Sequence, residues 1–313
     1  MPAIGGASSE TWLVDAVTGT DEHAVRWVLR IEPQSHQIYQ DPSVHRQYRV
    51  IEALHAQTTL PVPAPVAFEA DPDVIGAPFF LMERADGMAP PNDYHRDGIF
   101  ADAAPDRRNA MWVGAIQLLA RLNVIPTGQF DFLATPGMQA ATDGIEQELM
   151  RWSAYRNWAA IPQLPLYDSV WQWLQNNRPA PVSPGFAWGD ARPCNMLFSR
   201  ETCSALLDWE TASLGGGESD LGWWLFYDRM ISKTAGIKRL DGMPDAATTI
   251  AIWEDAAGRP ARAMDWHLVF AGYRFALISE RARALAIEAG KLPPDAWGEA
   301  NPAVRLLHEI ADG

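Results

Sequence analysis

The chain has 313 residues, enough for two sizeable lobes, and its 48% hydrophobic and 20% charged content is that of an ordinary globular protein. A net charge of −14 argues against nonspecific nucleic-acid binding, which needs a basic face. No run approaches the roughly 18 apolar residues of a membrane span, Met1–Gly6 lacks the features of a signal peptide, and the two cysteines, Cys194 and Cys203, make neither a disulfide framework nor a zinc pattern, so the expectation is a reduced, cytoplasmic protein.

In chain order, Pro2–Ile4 reads as the remnant of a first strand, followed by Gly5-Gly6-Ala7-Ser8-Ser9. Such a turn can present N–H groups and hydroxyls to phosphates. It is no Walker A loop, since no Gly-Lys-Ser/Thr follows, and a plain hairpin turn fits it equally well. Thr11–Val17 and Ala24–Ile31 are strand-like around a turn at Thr18-Gly19-Thr20-Asp21. Ser43–Gln57 is a helix capped by Ser43, with Val44, Tyr48, Ile51 and Leu54 at helical spacing. Leu60–Pro65 is too proline-rich for helix and leads to strands at Val66–Ala70 and Pro78–Arg84, the second read as buried. Asp86–Ala104, rich in Pro, Gly and Asp, reads as a linker or mobile insert. Pro105–Asn123 is amphipathic, with Trp112, Ile116, Leu119 and Leu122 on one stripe. Asp143–Trp158 opens with Asp143 and Glu146 at capping-box spacing, and Tyr167–Asn176 follows. Prolines at 179, 181 and 184 then end helix.

The richest stretch is Phe186–Glu210. Met196–Phe198 and Ala205–Leu207 flank a polar turn and form a small β-hairpin. Asp190 and Asn195 precede it and Asp208 follows it, so the hairpin can bring all three side chains to one point. Oxygen ligands of this kind suit magnesium, which takes one or two from protein and the rest from phosphate and water. Any one of these residues alone more often serves a loop; the set at this spacing points to magnesium–nucleotide chemistry. Further helices are expected at Glu218–Tyr227, Asp245–Ala257, Ala263–Glu288 and Pro302–Asp312. The histidines show no ligand spacing, and Trp209, Trp223, Trp224, Trp253 and Trp266 could line a pocket or fill the core.

Gly189-Asp190-x-x-x-x-Asn195 followed by Leu207-Asp208-Trp209-Glu210 resembles the aminoglycoside phosphotransferase family, the small-molecule branch of the protein-kinase-like fold, and most nearly the subgroup fused to acyl-CoA dehydrogenases. The resemblance implies an α+β, bilobal protein-kinase-like fold: a small antiparallel-sheet lobe over 1–84, short at its start, and a mainly helical lobe over 85–313. It implies that Asp190 receives or orients the substrate hydroxyl proton, with Arg192 beside it in the catalytic loop, and that Asn195 and Asp208 hold magnesium. Gly6, Ser8 and Ser9 would face nucleotide phosphates, and Arg30 would take the place of the kinase strand lysine, where a guanidinium bridges two phosphate oxygens. Backbone groups near Glu83 and Ala85 would pair with adenine over Met82. Glu210 would support the metal through water, and Asp220 would hold the catalytic-loop backbone.

Two residues depart from the family pattern. Trp188 stands where relatives carry His, keeping one N–H donor, and Gln47 stands where they carry the Glu that neutralises the strand cation, leaving open whether Glu52 substitutes. The implied activity is transfer of the γ-phosphoryl group of ATP, with GTP as the alternative donor, to a hydroxyl of a small molecule in the presence of magnesium. The acceptor is left open among an aminoglycoside, a hydroxyacyl compound and another metabolite, and a catalytically degenerate nucleotide-binding module is the second reading. No nucleic-acid or membrane partner is expected.

Overall fold

The computed structural model describes residues 9–17, 24–162, 164–296 and 300–311. Gly6, Ser8 and the turn expected at 18–21 lie outside them. Strands β1 (Glu10–Val17), β2 (Ala24–Ile31), β3 (Pro65–Glu69) and β4 (Phe79–Glu83) form one antiparallel sheet in the order β1-β2-β4-β3. Pro65 cannot donate a ladder bond, and it is tolerated because β3 is an edge strand with an irregularity between Pro65 and Ala67. Helix α1 (Val44–Gln57) packs on β3 and β4, and Ser43 Oγ accepts from Arg46 N at its start. The strand read as buried is only partly so: Phe80 is enclosed, while Phe79, Leu81 and Glu83, which alternate onto the opposite sheet face, are half-buried or exposed, and Met82 borders a cavity.

The rest is mainly helical: α2 (Gly98–Asp102), α3 (Pro105–Asn123), α4 (Gly144–Trp158), α5 (Pro165–Asn176), α6 (Gly217–Arg229), α7 (Ala246–Ala257), α8 (Met264–Glu288) and α9 (Pro302–Ala311), with the hairpin β5 (Met196–Ser199) and β6 (Thr202–Leu206) between α5 and α6. This is the α+β, bilobal architecture expected. Large aromatic side chains fill the helical core. Trp112 of α3 meets Trp224 of α6 edge-on at 5.1 Å and donates its indole N–H to Thr249 of α7.

Two local expectations change. The segment read as a linker or mobile insert is anchored: Tyr94 and Phe100 are fully buried, and the Tyr94 hydroxyl donates to Asp228 at 2.9 Å, with His95 on the same carboxylate oxygen. Asp143 caps α4 by accepting from Ile145 N, but Glu146 pairs with Arg178 rather than closing a capping box.

The hairpin turns on Arg200 and Glu201, which have φ of 48° and 67°. Two consecutive left-handed residues suit a turn that normally takes Asn-Gly, and each side chain costs about 1 kcal/mol there. The Arg107–Glu201 ion pair is largely exposed and offsets little of this. Replacing Arg200-Glu201 by Asn-Gly should therefore raise stability by roughly 1 kcal/mol, measured as a higher urea midpoint at unchanged slope.

Candidate active site

The strand register builds the upper wall of the site. Arg30 stands opposite both Thr11 and Phe80, and Val28 opposite both Leu13 and Met82. Side chains directly opposite one another share a face, and all six line one cavity of about 440 Å³. The far wall is Asn195, Leu197, Leu207, Asp208 and Trp209, and the edge is Glu83, Arg84 and Ala85. The Glu83 N–H is already taken by the Ala64 carbonyl at 2.9 Å, so it cannot serve a ligand. The Ala85 backbone makes no hydrogen bond among the described residues. Ser9 is buried with its hydroxyl unpaired.

Arg30 donates to Thr11 Oγ1 at 3.2 Å, Gln47 Oε1 at 3.3 Å and Asp208 Oδ1 at 3.4 Å. Gln47 thus occupies the partner position as an acceptor that brings no charge. Glu52 is exposed and makes no bond to Arg30, so it does not substitute.

The hairpin brings Asn195 and Asp208 together: the Leu207 N–H donates to the Asn195 carbonyl at 2.9 Å. Asn195 donates its side-chain NH₂ to Asp190, to the backbone oxygen at 2.9 Å and to Oδ2 at 2.7 Å. Its amide oxygen is thereby turned away and makes no hydrogen bond among the described residues. Arg192 Nε also donates to Asp190 Oδ2, and Arg192 is itself held by Asn92 and the Tyr227 ring. The Trp223 indole N–H donates to Asp190 Oδ1 at 2.8 Å. The Asp190 carboxylate is fixed from both sides, with less demand on Oδ1.

The backbone beneath is equally constrained. Gly189 has φ of 90°, and a Cβ there would lie 2.2 Å from the Thr211 carbonyl oxygen, so only glycine fits before Asp190. Asp220 is fully buried and accepts from Trp188 N and Gly189 N at 2.7 Å each, and from Asn123 Nδ2 at 2.7 Å. Trp188 keeps a donor's role: its indole N–H reaches the carbonyls of Leu207 at 2.8 Å and Asp208 at 3.2 Å. That clamp holds Asp208 in its left-handed backbone conformation, φ 63°.

Burial pushes the Asp208 carboxyl up, with Asp190 adding to the effect, while Arg30 pulls it down. A cation beside it would relieve that cost. The Asn195 amide oxygen and the Asp208 carboxylate are the two oxygens that could hold magnesium, and they match its modest demand for protein ligands. Among the described residues no cluster of three or more His, Cys, Asp or Glu could hold a metal, so no all-protein cage competes.

Some residues at the site were not singled out by sequence. Tyr39, half-buried in the loop before α1, packs its ring 6.3 Å from that of Tyr155, and its phenol is pushed well up by burial, with the charges of Glu210, Asp190 and Asp208 adding to the effect. A loop aromatic carries no periodicity to find it by. Trp223 was one of five candidate pocket tryptophans; it lies three residues after Asp220, and that spacing puts both on one helix face. Trp209 lines the cavity, whereas Trp224, Trp253 and Trp266 are core. Cys194 and Cys203 are free thiols.

The architecture is that of known phosphotransferases. A candidate aminoglycoside phosphotransferase from Ralstonia eutropha superposes with a TM-score of 0.71 at 24% identity, over 98% of this chain and 88% of that one. Aminoglycoside phosphotransferase APH(4)-Ia, solved as a ternary complex with AMP-PNP and hygromycin B, superposes at 0.61 with 15% identity, over 100% and 92%. The profile of the phosphotransferase enzyme family matches residues 2–278, and the chain belongs to that family. Among curated proteins, acyl-CoA dehydrogenase family member 11 of Pongo abelii is 26% identical over 254 residues, 78% of this chain and 31% of that protein. The chain thus spans about a third of that relative's length.

Burial lifts the Asp220 carboxyl to about 6, against the pull of the Gly189, Trp188 and Asn123 donors. The unfolded chain titrates this group near the ordinary Asp value, so between about pH 4 and pH 6 the folded state holds the proton more tightly. Its contribution to stability is fully present below that window and is lost as the pH rises through it. The stability of the wild type relative to Asp220→Asn should therefore increase as pH falls from 7 to 4 in urea unfolding. Asp220→Ala, which strands three buried donors, should cost at least about 3 kcal/mol at pH 7.

Proposed function

We propose that the protein transfers the γ-phosphoryl group of ATP or GTP to a hydroxyl of a small molecule, with magnesium as the metal. The observation that carries this reading is the convergence of Asp190, Asn195 and Asp208 beside a cavity whose opposite wall presents Arg30. Phosphoryl transfer asks the protein mainly for positioning and charge neutralisation, and the site is built for both. Asp190, oriented by Asn195, Arg192 and Trp223, accepts the proton of the acceptor hydroxyl at Oδ1, its less engaged oxygen. Arg30 holds donor phosphates, and Met82 with the backbone at Ala85 holds the base. Asn195 and Asp208 hold magnesium, which when bound neutralises phosphate charge. Glu210 supports the metal through water and Asp220 holds the loop, and we place the division between the lobes at residues 84 and 85.

The AMP-PNP and hygromycin B complex of APH(4)-Ia supports a nucleotide donor and a hydroxyl-bearing acceptor. The acyl-CoA dehydrogenase relatives add a hydroxyacyl compound to the acceptor classes, beside aminoglycosides and other metabolites. The free thiols agree with the cytoplasm as its compartment.

Asp190→Asn should lower transfer by roughly 10²- to 10⁴-fold, the usual value of a positioned base, while nucleotide affinity stays within about threefold. The assay is acceptor-stimulated hydrolysis across a panel of aminoglycosides, hydroxyacyl thioesters and sugars. Turnover near the wild-type level would remove Asp190 from this role. A wild type that binds nucleotide tightly, yet is stimulated by no acceptor, would instead make this a nucleotide-binding module.

Asp208 brings a full charge to the metal and Asn195 only a neutral oxygen. Calorimetry should show Asp208→Ala weakening magnesium-dependent ATP binding more than Asn195→Ala, by about tenfold. Because Asn195 also holds Asp190, its alanine variant should lose more in kcat than in affinity. Equal losses of affinity, or ATP binding indifferent to magnesium, would move the metal elsewhere.

A further inference from the structure

Of the groups that hold the Asp190 carboxylate, Trp223 is itself held from the middle of the helical lobe. Helices α6 and α8 approach closely at two glycines. A Cβ on Gly222 of α6 would lie 2.7 Å from the His267 carbonyl oxygen, and one on Gly272 of α8 would lie 2.7 Å from the Phe226 ring. Only residues without a Cβ let the two backbones come so near. This approach sets Arg274 of α8 against Trp223 of α6. The guanidinium carbon lies 4.7 Å from the centre of the Trp223 ring. Its Nη2 donates to the Ser219 carbonyl at 3.2 Å, one turn before Trp223 on the same helix. Arg274 therefore grips both the face of the indole and the helical turn that carries it.

An arginine is a costly choice for this place. Arg274 is 2% exposed, and its Nε is buried without a hydrogen bond. Its countercharge is Glu148 of α4, equally buried, 3.5 Å from Nη1. Glu148 is shared: it accepts from the Trp152 indole at 3.1 Å and lies 3.9 Å from Arg151. Burial pushes the guanidinium down, while Glu148, Asp220 and Asp190 support its charge against Arg151. A buried ion pair can often be replaced by apolar side chains of similar volume without loss of stability. Packing alone would thus be met by methionine, and the charge points to a task other than stability.

That task lies at the other end of the indole. Its N–H donates to Asp190 Oδ1 at 2.8 Å. A cation over the face of an aromatic ring is attracted by the ring quadrupole and draws electron density away from the ring edge. The N–H on that edge becomes a stronger donor, and linked polar contacts in a dry interior strengthen one another in this way.

We infer that Arg274 is a positioning residue for the Asp190 carboxylate: held by Glu148 and by the Ser219 carbonyl, it fixes the Trp223 ring and strengthens the N–H that aims Asp190 Oδ1. The contacts run from α4 through α8 and α6 to the loop, and neither Glu148 nor Arg274 lines the nucleotide cavity. The bearing on turnover rests on the reading of Asp190 as the base; the hold on its carboxylate does not.

The test is NMR of the full chain labelled with ¹⁵N at its tryptophan indoles, the Trp223 resonance being the one lost in Trp223→Phe. Asp190→Asn should move that resonance upfield, since a neutral acceptor replaces a carboxylate. Glu148→Gln/Arg274→Met removes both buried charges at once and keeps an oxygen for the Trp152 indole. It should move the Trp223 resonance the same way and speed its exchange with solvent about tenfold. Arg274→Lys keeps the cation and should stay nearer the wild type. The Trp112 indole, bonded to Thr249, is the control and should not move. In acceptor-stimulated hydrolysis the double variant should lose about tenfold in kcat, with KM for ATP within about threefold. Should Asp190→Asn leave turnover intact, the base reading fails and the indole resonance still decides the role of Arg274. An unmoved Trp223 resonance in the double variant, an Arg274→Lys variant that shifts as far as the double variant, or a Trp112 resonance that moves with that of Trp223 would overturn the assignment.

Discussion

The loop that carries Asp190 hangs on one buried carboxylate. Asp220 meets the two backbone N–H groups that precede Asp190 and the amide of Asn123. A fully enclosed carboxylate is expensive unless its lone pairs are filled, and here they are filled by the groups that must stay still. The helix adds to this, since Asp220 lies in the first turn of α6, where the dipole favours negative charge. One turn further along the same face, Trp223 reaches Asp190 itself. The helix therefore sets both the path of the loop and the aim of its carboxylate.

The two departures from the family pattern have physical answers. Trp188 keeps the service of a ring donor, since its indole N–H ties the loop to the carbonyls of Leu207 and Asp208. Gln47 accepts from Arg30 without cancelling its charge, so the guanidinium faces the cavity with more of its field intact. In a strongly acidic chain, this leaves a less neutralised cation on the cavity wall.

Local signals wrote much of the fold into the sequence. The Ser43 cap, the α3 stripe and the hairpin around 199–204 were each legible because periodicity, capping and turn chemistry act within a few residues. Asp190, Asn195 and Asp208 were legible because a short hairpin fixes their separation. The anchoring of Tyr94 and Phe100 was not, because it depends on Asp228 for Tyr94 and on Phe198 for Phe100, each about a hundred positions away or more. For the same reason a proline- and glycine-rich stretch read as loose turns out to be packed. Tyr39 was hidden likewise: a lone aromatic in a loop has no neighbours in sequence to mark it.

The loop that carries Tyr39 also ties the two lobes. The Tyr155 hydroxyl of α4 donates to the Ile38 carbonyl at 2.9 Å, and Arg281 of α8 donates to the Gln37 carbonyl at 3.0 Å. These bonds join the β2–α1 connection to the helical lobe, a second link besides the chain crossing that follows β4. A cleft fastened at two separated places cannot swing open about a single hinge. Entry and exit of ligands must either break this tether in each cycle or proceed by sliding within a frame of fixed width. The tether thus sets a mechanical limit on how fast such a cleft can empty.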